Sequence, residues 1–153
     1  MRAEERLREL GIVLPEPPEP VAAYISWVVS GSLIFVSGQI PSRDGGLPRT
    51  GHVGAELTIE EGAEEARFCA INVLAQLRAA AGTLDMVGRI VRLGVFVASA
   101  PGFTHQPAVA NGASELMKEV FGEDGKHTRA AVGVSELPLG APVEVDAIAA
   151  LET

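Results

Sequence analysis

Apolar positions along this chain recur with two different periods. Ala66, Cys69, Ala70, Val73, Leu74, Leu77 and Ala81 follow the i, i+3, i+4, i+7 series of one helix face. Thr58 and Glu61 precede that stripe as N-cap and N3 of a capping box. Gly82 follows it where a C-terminal cap belongs. The spacing predicts a long helix whose small aliphatic face packs flat on a sheet. A second helix is predicted from Pro107 to Phe121, with Val109, Ala113, Leu116, Met117 and Val120 on one face and Gly122 after its end. A short helix over Ala3 to Leu10 presents Leu7 and Leu10. Pro15, Pro17, Pro18 and Pro20 then force an extended linker.

The remaining apolar segments read as strands: Val21 to Val29, Leu33 to Gln39, Arg89 to Ala98, Arg129 to Ser135 and Val143 to Leu151. Gly31-Ser32 fits a tight turn between the first two. Pro41 to Gly54 is rich in Gly, Pro and charge and reads as a loop, with strand pairing resuming around Gly51 to Glu56. Strands interspersed with two long helices predict an α+β domain, residues 21–153, preceded by an N-terminal extension, residues 1–20. Both helices are expected on one face of a single mixed sheet. No third layer covers the other face, so a second subunit is the natural candidate.

Composition narrows the field of functions. The 153 residues suit one domain and carry a net charge of -8, which disfavours binding to phosphate backbones. No run of Lys and Arg builds a basic stripe, so no nucleic-acid partner is expected. The start, MRAEERLREL, is charged rather than apolar, and no apolar run approaches the roughly 20 residues of a membrane helix. No membrane partner is expected, and the cytoplasm is the default location. Cys69 is the only cysteine, and its place on the apolar stripe predicts a buried structural thiol. His52, His105 and His127 share no ligand spacing, and no GxGxxG or Walker pattern occurs. Neither metal nor cofactor is expected.

Candidate chemistry gathers in the final third. Alternation along Arg129-Ala-Ala-Val-Gly-Val134 places Arg129, Ala131 and Gly133 on one strand face. An arginine beside such small residues has room for a small anion, which guanidinium binds as a bidentate fork; a surface salt bridge is the other reading. Glu144 and Asp146 share a face with Ile148, opposite Val143, Val145 and Ala147. Either the two acids are solvated charges, or one is desolvated and acts in proton transfer or water positioning. If the last two strands form a hairpin about Leu139, Val134 lies opposite Glu144, and Arg129 stands roughly 16 Å further along. On that geometry Arg129 and Glu144 share a site only through a neighbouring subunit or a different strand order.

Several segments in order resemble the RidA/YjgF family, also called YjgF/UK-type or L-PSP-like. They are Tyr24, Val36-Ser-Gly-Gln-Ile-Pro41, Asn111, Arg129-Ala-Ala-Val-Gly-Val134, Leu137-Pro138 and Val143-Glu-Val-Asp-Ala-Ile-Ala149. The resemblance implies a chorismate-mutase-like α+β fold and a homotrimer with clefts between subunits. It implies hydrolysis of reactive enamines and imines to 2-oxo acids and ammonia. Under it, Arg129 clamps the substrate carboxylate and Glu144 orients or activates water across the subunit boundary. Tyr24, Gly38 and Asn111 line the pocket, and the Ala131 amide hydrogen-bonds the substrate. The alternatives are a trimer that binds small carboxylates or a partner without turnover, and an endoribonuclease, which the acidic charge opposes.

The chain also departs from that pattern. Ala131 stands where many close RidA relatives have cysteine, and Ala22-Ala23 replaces Gly-Pro before the tyrosine. With the N-terminal extension, these features mark a divergent branch.

Overall fold

A computed structural model describes residues 2–17 and 23–153. Its elements are α1 (Ala3–Glu9), β1 (Trp27–Ser30), β2 (Leu33–Gln39), α2 (Ile59–Ala81), β3 (Val87–Ala98), α3 (Gln106–Phe121), β4 (Thr128–Val134) and β5 (Val143–Leu151). The long helix begins and ends where its caps predict. Thr58 Oγ1 accepts from the Glu61 amide at 3.1 Å, and Glu61 Oε1 accepts from the Thr58 amide at 2.9 Å. A cap of this kind is worth about 1 kcal/mol. Gly82 ends the helix at φ +85°, a conformation that Cβ-bearing residues avoid.

The five strands form one mixed sheet in the order β1-β2-β5-β3-β4. Two strand–helix–strand crossovers generate it. β3 and β4, joined through α3, pair in parallel, an arrangement that needs such a crossover. β2 and β3 are joined through α2, with β5 inserted antiparallel between them. Ile34, Val36, Leu93, Val95, Val97, Val143, Val145 and Ala149 are buried on one sheet face. They pack with the predicted helix stripes into a single core. The other face carries exposed Val28, Phe35 and Val132.

Strand order corrects one expectation. The last two strands do not form a hairpin about Leu139, because β3 lies between them. Phe96 is paired with Val132 on one side and with Glu144 on the other. The first strand begins later than its apolar pattern suggested, at Trp27. Residues 18–22 fall outside the described set, and with them the end of the Pro-rich linker, the expected strand start at Val21 and the boundary at residue 20. Around Gly51 to Glu56 only Val53 makes bridges, to Leu57 and Ser99.

The N-terminal segment is docked on the domain. Leu7 is buried in the core, while Leu10, expected on the same face, is exposed. The Glu4 carboxylate accepts from Arg78, the Thr83 hydroxyl and the Leu84 amide. Burial of Glu4 alone would raise its pKa; these partners outweigh burial and hold it below the ordinary value.

The two long helices meet at Gly112, where a Cβ would fall on the Ala63 carbonyl group of α2. Backbone leaves no flexible group to move aside. Gly112→Ala is expected to cost about 3 kcal/mol or more through overpacking, read as a lowered midpoint in denaturant unfolding. A midpoint within error of the parent would show that α2 and α3 do not approach this closely.

Candidate functional site

Register divides the candidate residues between the two sheet faces. Leu93, which faces the helices, pairs with Arg129 and with Ala147. Paired residues point to the same side, so Arg129, Ala131 and Gly133 lie on the helix side. Glu144 and Asp146 alternate with the buried Val143, Val145 and Ala147 and lie on the open side. Within one chain Arg129 and Glu144 are two strands and three residues apart, roughly 14 Å, with the sheet between them.

The helix-side group is built on the contact of α3 with β4. Asn111, Ser114 and Lys118 follow i, i+3, i+7 spacing on α3. Arg129 Nη1 donates to Asn111 Oδ1 at 2.8 Å and to Ser114 Oγ at 3.1 Å. His127 completes the chain, with Nε2 at 2.9 Å from Ser114 Oγ and Nδ1 at 2.6 Å from the Gly125 carbonyl. Nδ1 must carry the proton donated to Gly125, so Nε2 accepts from Ser114, and Ser114 Oγ is left to accept from Arg129. Burial lowers the His127 pKa; the Gly125 bond opposes this in part, and the Arg129 charge adds to it. The imidazole is therefore a neutral post.

Arg129 makes no ion pair among the described residues. The salt-bridge reading of this arginine does not hold among the described residues. It borders a cleft of about 290 Å³ lined also by Ser114, Glu115, Lys118, Lys126 and His127. β4 is an edge strand, so alternate amides around Ala131 face away from β3.

The open-side group centres on Glu144. Gly38 lies against it, and a Cβ there would stand 2.5 Å from Glu144 Oε2. Gly94 likewise leaves room for the Asp146 carboxylate, which pairs with Arg92 at 3.6 Å. Burial first, and then the Asp146 charge, raise the Glu144 pKa. Burial also raises Asp146, against the Arg92 charge and the Gly94 amide. Both acids are thus partly desolvated. Tyr24 is exposed in the segment beside Gly38, where the Ser37 amide donates to the Ser26 carbonyl and Ser37 Oγ to that of Ile25.

Gly38→Ala is expected to push aside the flexible end of Glu144 rather than the backbone. Stability should change by less than about 1 kcal/mol, while the Glu144 carboxyl, moved toward water, titrates closer to the ordinary range in a carboxyl NMR titration. An unchanged titration would show that Gly38 does not set this carboxylate.

Polar residues at the edge of the long stripe were not anticipated as part of the support. Asn72 Nδ2 donates to the Ile40 and Ser42 carbonyls, Gln76 Nε2 to Gln39 Oε1, and Gln39 Nε2 to the Ser37 carbonyl. Buried Glu65 holds Arg43 through two hydrogen bonds, and Arg43 stacks on Phe68. These contacts fix the end of β2 that carries Gly38. The signal was legible: Glu65, Asn72 and Gln76 repeat at i, i+7, i+11 beside an apolar face. Cys69 is fully buried as expected, its thiol donating to the Val143 carbonyl at 3.4 Å. Burial pushes the thiol well above its ordinary range.

Comparison with known proteins adds an independent line. Residues 4–151 match the family described as "YjgF/chorismate_mutase-like, putative endoribonuclease". Protein TCP17 of Trypanosoma cruzi is 52% identical over 151 residues, spanning 98% of this chain and 94% of its own length. The "Putative reactive intermediate deaminase TdcF" of Escherichia coli K12 is 33% identical over 134 residues, spanning 86% of this chain and 89% of that protein. Among solved structures, Atu1372 of Agrobacterium tumefaciens superposes with a TM-score of 0.91 at 44% identity, covering 98% of this chain and 92% of its own. Escherichia coli TdcF with bound serine superposes at 0.65 and 27% identity, covering 90% and 94%. The first relative and the first structure each span 98% of the chain, so the likeness includes the N-terminal helix. Among the described residues no helix is long and apolar enough to cross a membrane.

Proposed function

The chain belongs to the YjgF/chorismate mutase-like, or RidA, family, and on that premise we propose that it hydrolyses 2-imino and 2-enamino carboxylates to 2-oxo acids and ammonia. The observation that carries this reading is Arg129. Its guanidinium is held by two neutral side chains, has no carboxylate partner among the described residues, and borders a cleft. A planar carboxylate suits its remaining N–H groups. Relatives named as reactive intermediate deaminases and a family member with serine bound support the same ligand class.

The reaction asks little of the protein beyond placement. Water adds to the imine carbon next to the anchored carboxylate, and the carbinolamine then expels ammonia. Glu144 takes a proton from the attacking water and returns one to the departing nitrogen. A carboxyl with a raised pKa suits both transfers near neutral pH. The separation of Arg129 and Glu144 on opposite sheet faces supports a site shared between chains: Arg129, Asn111 and the Ala131 amide from one subunit, Glu144, Gly38 and Tyr24 from the next. A homotrimer whose subunits cover one another's open sheet faces supplies that arrangement and buries Val28, Phe35 and Val132. No step uses a thiol at position 131, where this chain has alanine.

The test couples purified protein to a dehydratase that releases the enamine from serine or threonine, and follows 2-oxo acid formation. Acceleration over buffer is expected. No acceleration by properly folded oligomer would overturn the proposal. Stabilisation by 2-oxo acids through Arg129 without turnover would replace it by a carboxylate-binding protein.

A further inference from the structure

The cleft beside Arg129 holds more positive charge than one carboxylate requires. Lys118 and Lys126 line it together with Arg129, against the single acid Glu115, in a chain whose net charge is -8. Lys118 makes no ion pair among the described residues. Among the described residues Lys126 pairs only with Glu123, its neighbour three residues back, at the exposed surface, a contact of the weak kind. His127 and Ser114 add no charge, and they consume the hydrogen bonds of one another rather than those of the lysines. The cleft walls are largely carbon, which among these lining residues comes from side-chain stems and the imidazole. At about 290 Å³ the space exceeds what a three- or four-carbon monoacid fills.

We infer that the cleft selects dianionic 2-imino acids, with the reacting carboxylate on Arg129 and a second anionic group, across a short aliphatic spacer, on Lys118 and Lys126. The inference rests on the reading of Arg129 as the carboxylate anchor and adds the substrate class. The second group is a carboxylate or a phosphate-like anion, since two ammonium groups accept either. Lys118 reaches the cleft from the same helix stripe that presents Asn111 and Ser114 to Arg129. Lys126 enters just before β4. The two ends of the ligand are therefore read by neighbouring parts of one α3–β4 contact within a single chain.

Equilibrium binding to the whole oligomer tests this without turnover. The probes are 2-oxobutyrate, with one anionic group, 2-oxoglutarate, with two carboxylates, and 3-phosphonopyruvate, with a phosphonate. Calorimetry at low salt is expected to show at least one dianion binding about tenfold more tightly than 2-oxobutyrate, a preference that shrinks as salt rises. Which dianion leads identifies the second group. In the Lys118→Met/Lys126→Met variant, which keeps the aliphatic stems, the ratio of affinities should fall to about one. Equal affinities in the parent, or a preference that survives in the variant, would overturn the inference. If the parent shows no preference but Arg129→Ala loses all three ligands, the inference fails and the proposed function stands. If Arg129→Ala binds all three as the parent does, the anchor reading fails as well.

Discussion

Glu144→Gln is expected to lower kcat for imine hydrolysis by about 10²–10⁴-fold and, at neutral pH, to raise the melting temperature. Both effects come from removing the ionisable group: an amide cannot take or return a proton, and it carries no charge for the fold to oppose. Burial and the Asp146 charge make ionised Glu144 costly in the folded state. The folded carboxyl therefore binds its proton more tightly than the unfolded one. Its contribution to stability falls as pH rises from the ordinary carboxyl range through the raised value, and stays low above it. Glutamine has nearly the same shape and never ionises, so the variant gains in full above that window. The gain disappears below the ordinary range, where glutamate is also neutral. A melting-temperature difference that shrinks on acidification, together with loss of turnover, is the expected pair. A variant that keeps its turnover would remove Glu144 from proton transfer. A difference independent of pH would show that its charge is not strained by the fold.

Asp146→Asn separates the two contributions. It removes the neighbouring charge and leaves burial in place, so the Glu144 carboxyl should titrate nearer the ordinary range without returning to it. The acid limb of the activity profile is expected to move to lower pH while the rate plateau is retained. Loss of the plateau without a shift would assign Asp146 a structural part through its pairing with Arg92.

Local features of the fold were legible because each has a local physical cause. The capping box at Thr58 and Glu61 fixes where α2 starts, and Gly82 where it ends. The alternation in Val143 to Leu151 and in Leu33 to Gln39 gave both strands with the bounds observed. Strand order was less accessible, since adjacency in sequence favours a hairpin between the last two strands. The decisive clue is the helix between Arg89–Ala98 and Arg129–Ser135. A strand, a helix and a strand run both strands the same way, and with no strand between them in sequence β3 lies beside β4, while β5 fills the gap between β2 and β3. The start of β1 was obscured because Ile25 and Ser26 are tied to Ser37 by a side-chain hydrogen bond and one amide, not by a continuing ladder. For the candidate site, alternation alone put Glu144 opposite the core and Arg129 beside small residues. Only register shows that these two faces are opposite faces of one sheet.

That opposition makes the strongest test of the shared site. Arg129→Ala is expected to lower kcat/KM by about 10²–10³-fold, since a charge-assisted carboxylate contact is lost from the cleft. Little stability should be lost, because Arg129 is exposed and its partners Asn111 and Ser114 are neutral. Arg129→Lys restores charge but not the fork, and should recover only part of the rate. Oligomers of Arg129→Ala alone and of Glu144→Gln alone are then both nearly inactive. Unfolded together in equal amounts and refolded, they exchange halves. Where the Glu144→Gln chain supplies Arg129 and its neighbour, the Arg129→Ala chain, supplies Glu144, a complete site reappears. In a randomly assembled ring each interface has two independent choices, so about a quarter of the sites, and about a quarter of the parent activity, should return. A site contained in one chain would return nothing, since every chain in the mixture lacks one of the two residues. The same mixture made with the double variant as partner should also stay inactive. Its chains supply neither Arg129 nor Glu144, which ties any recovery to the two halves meeting.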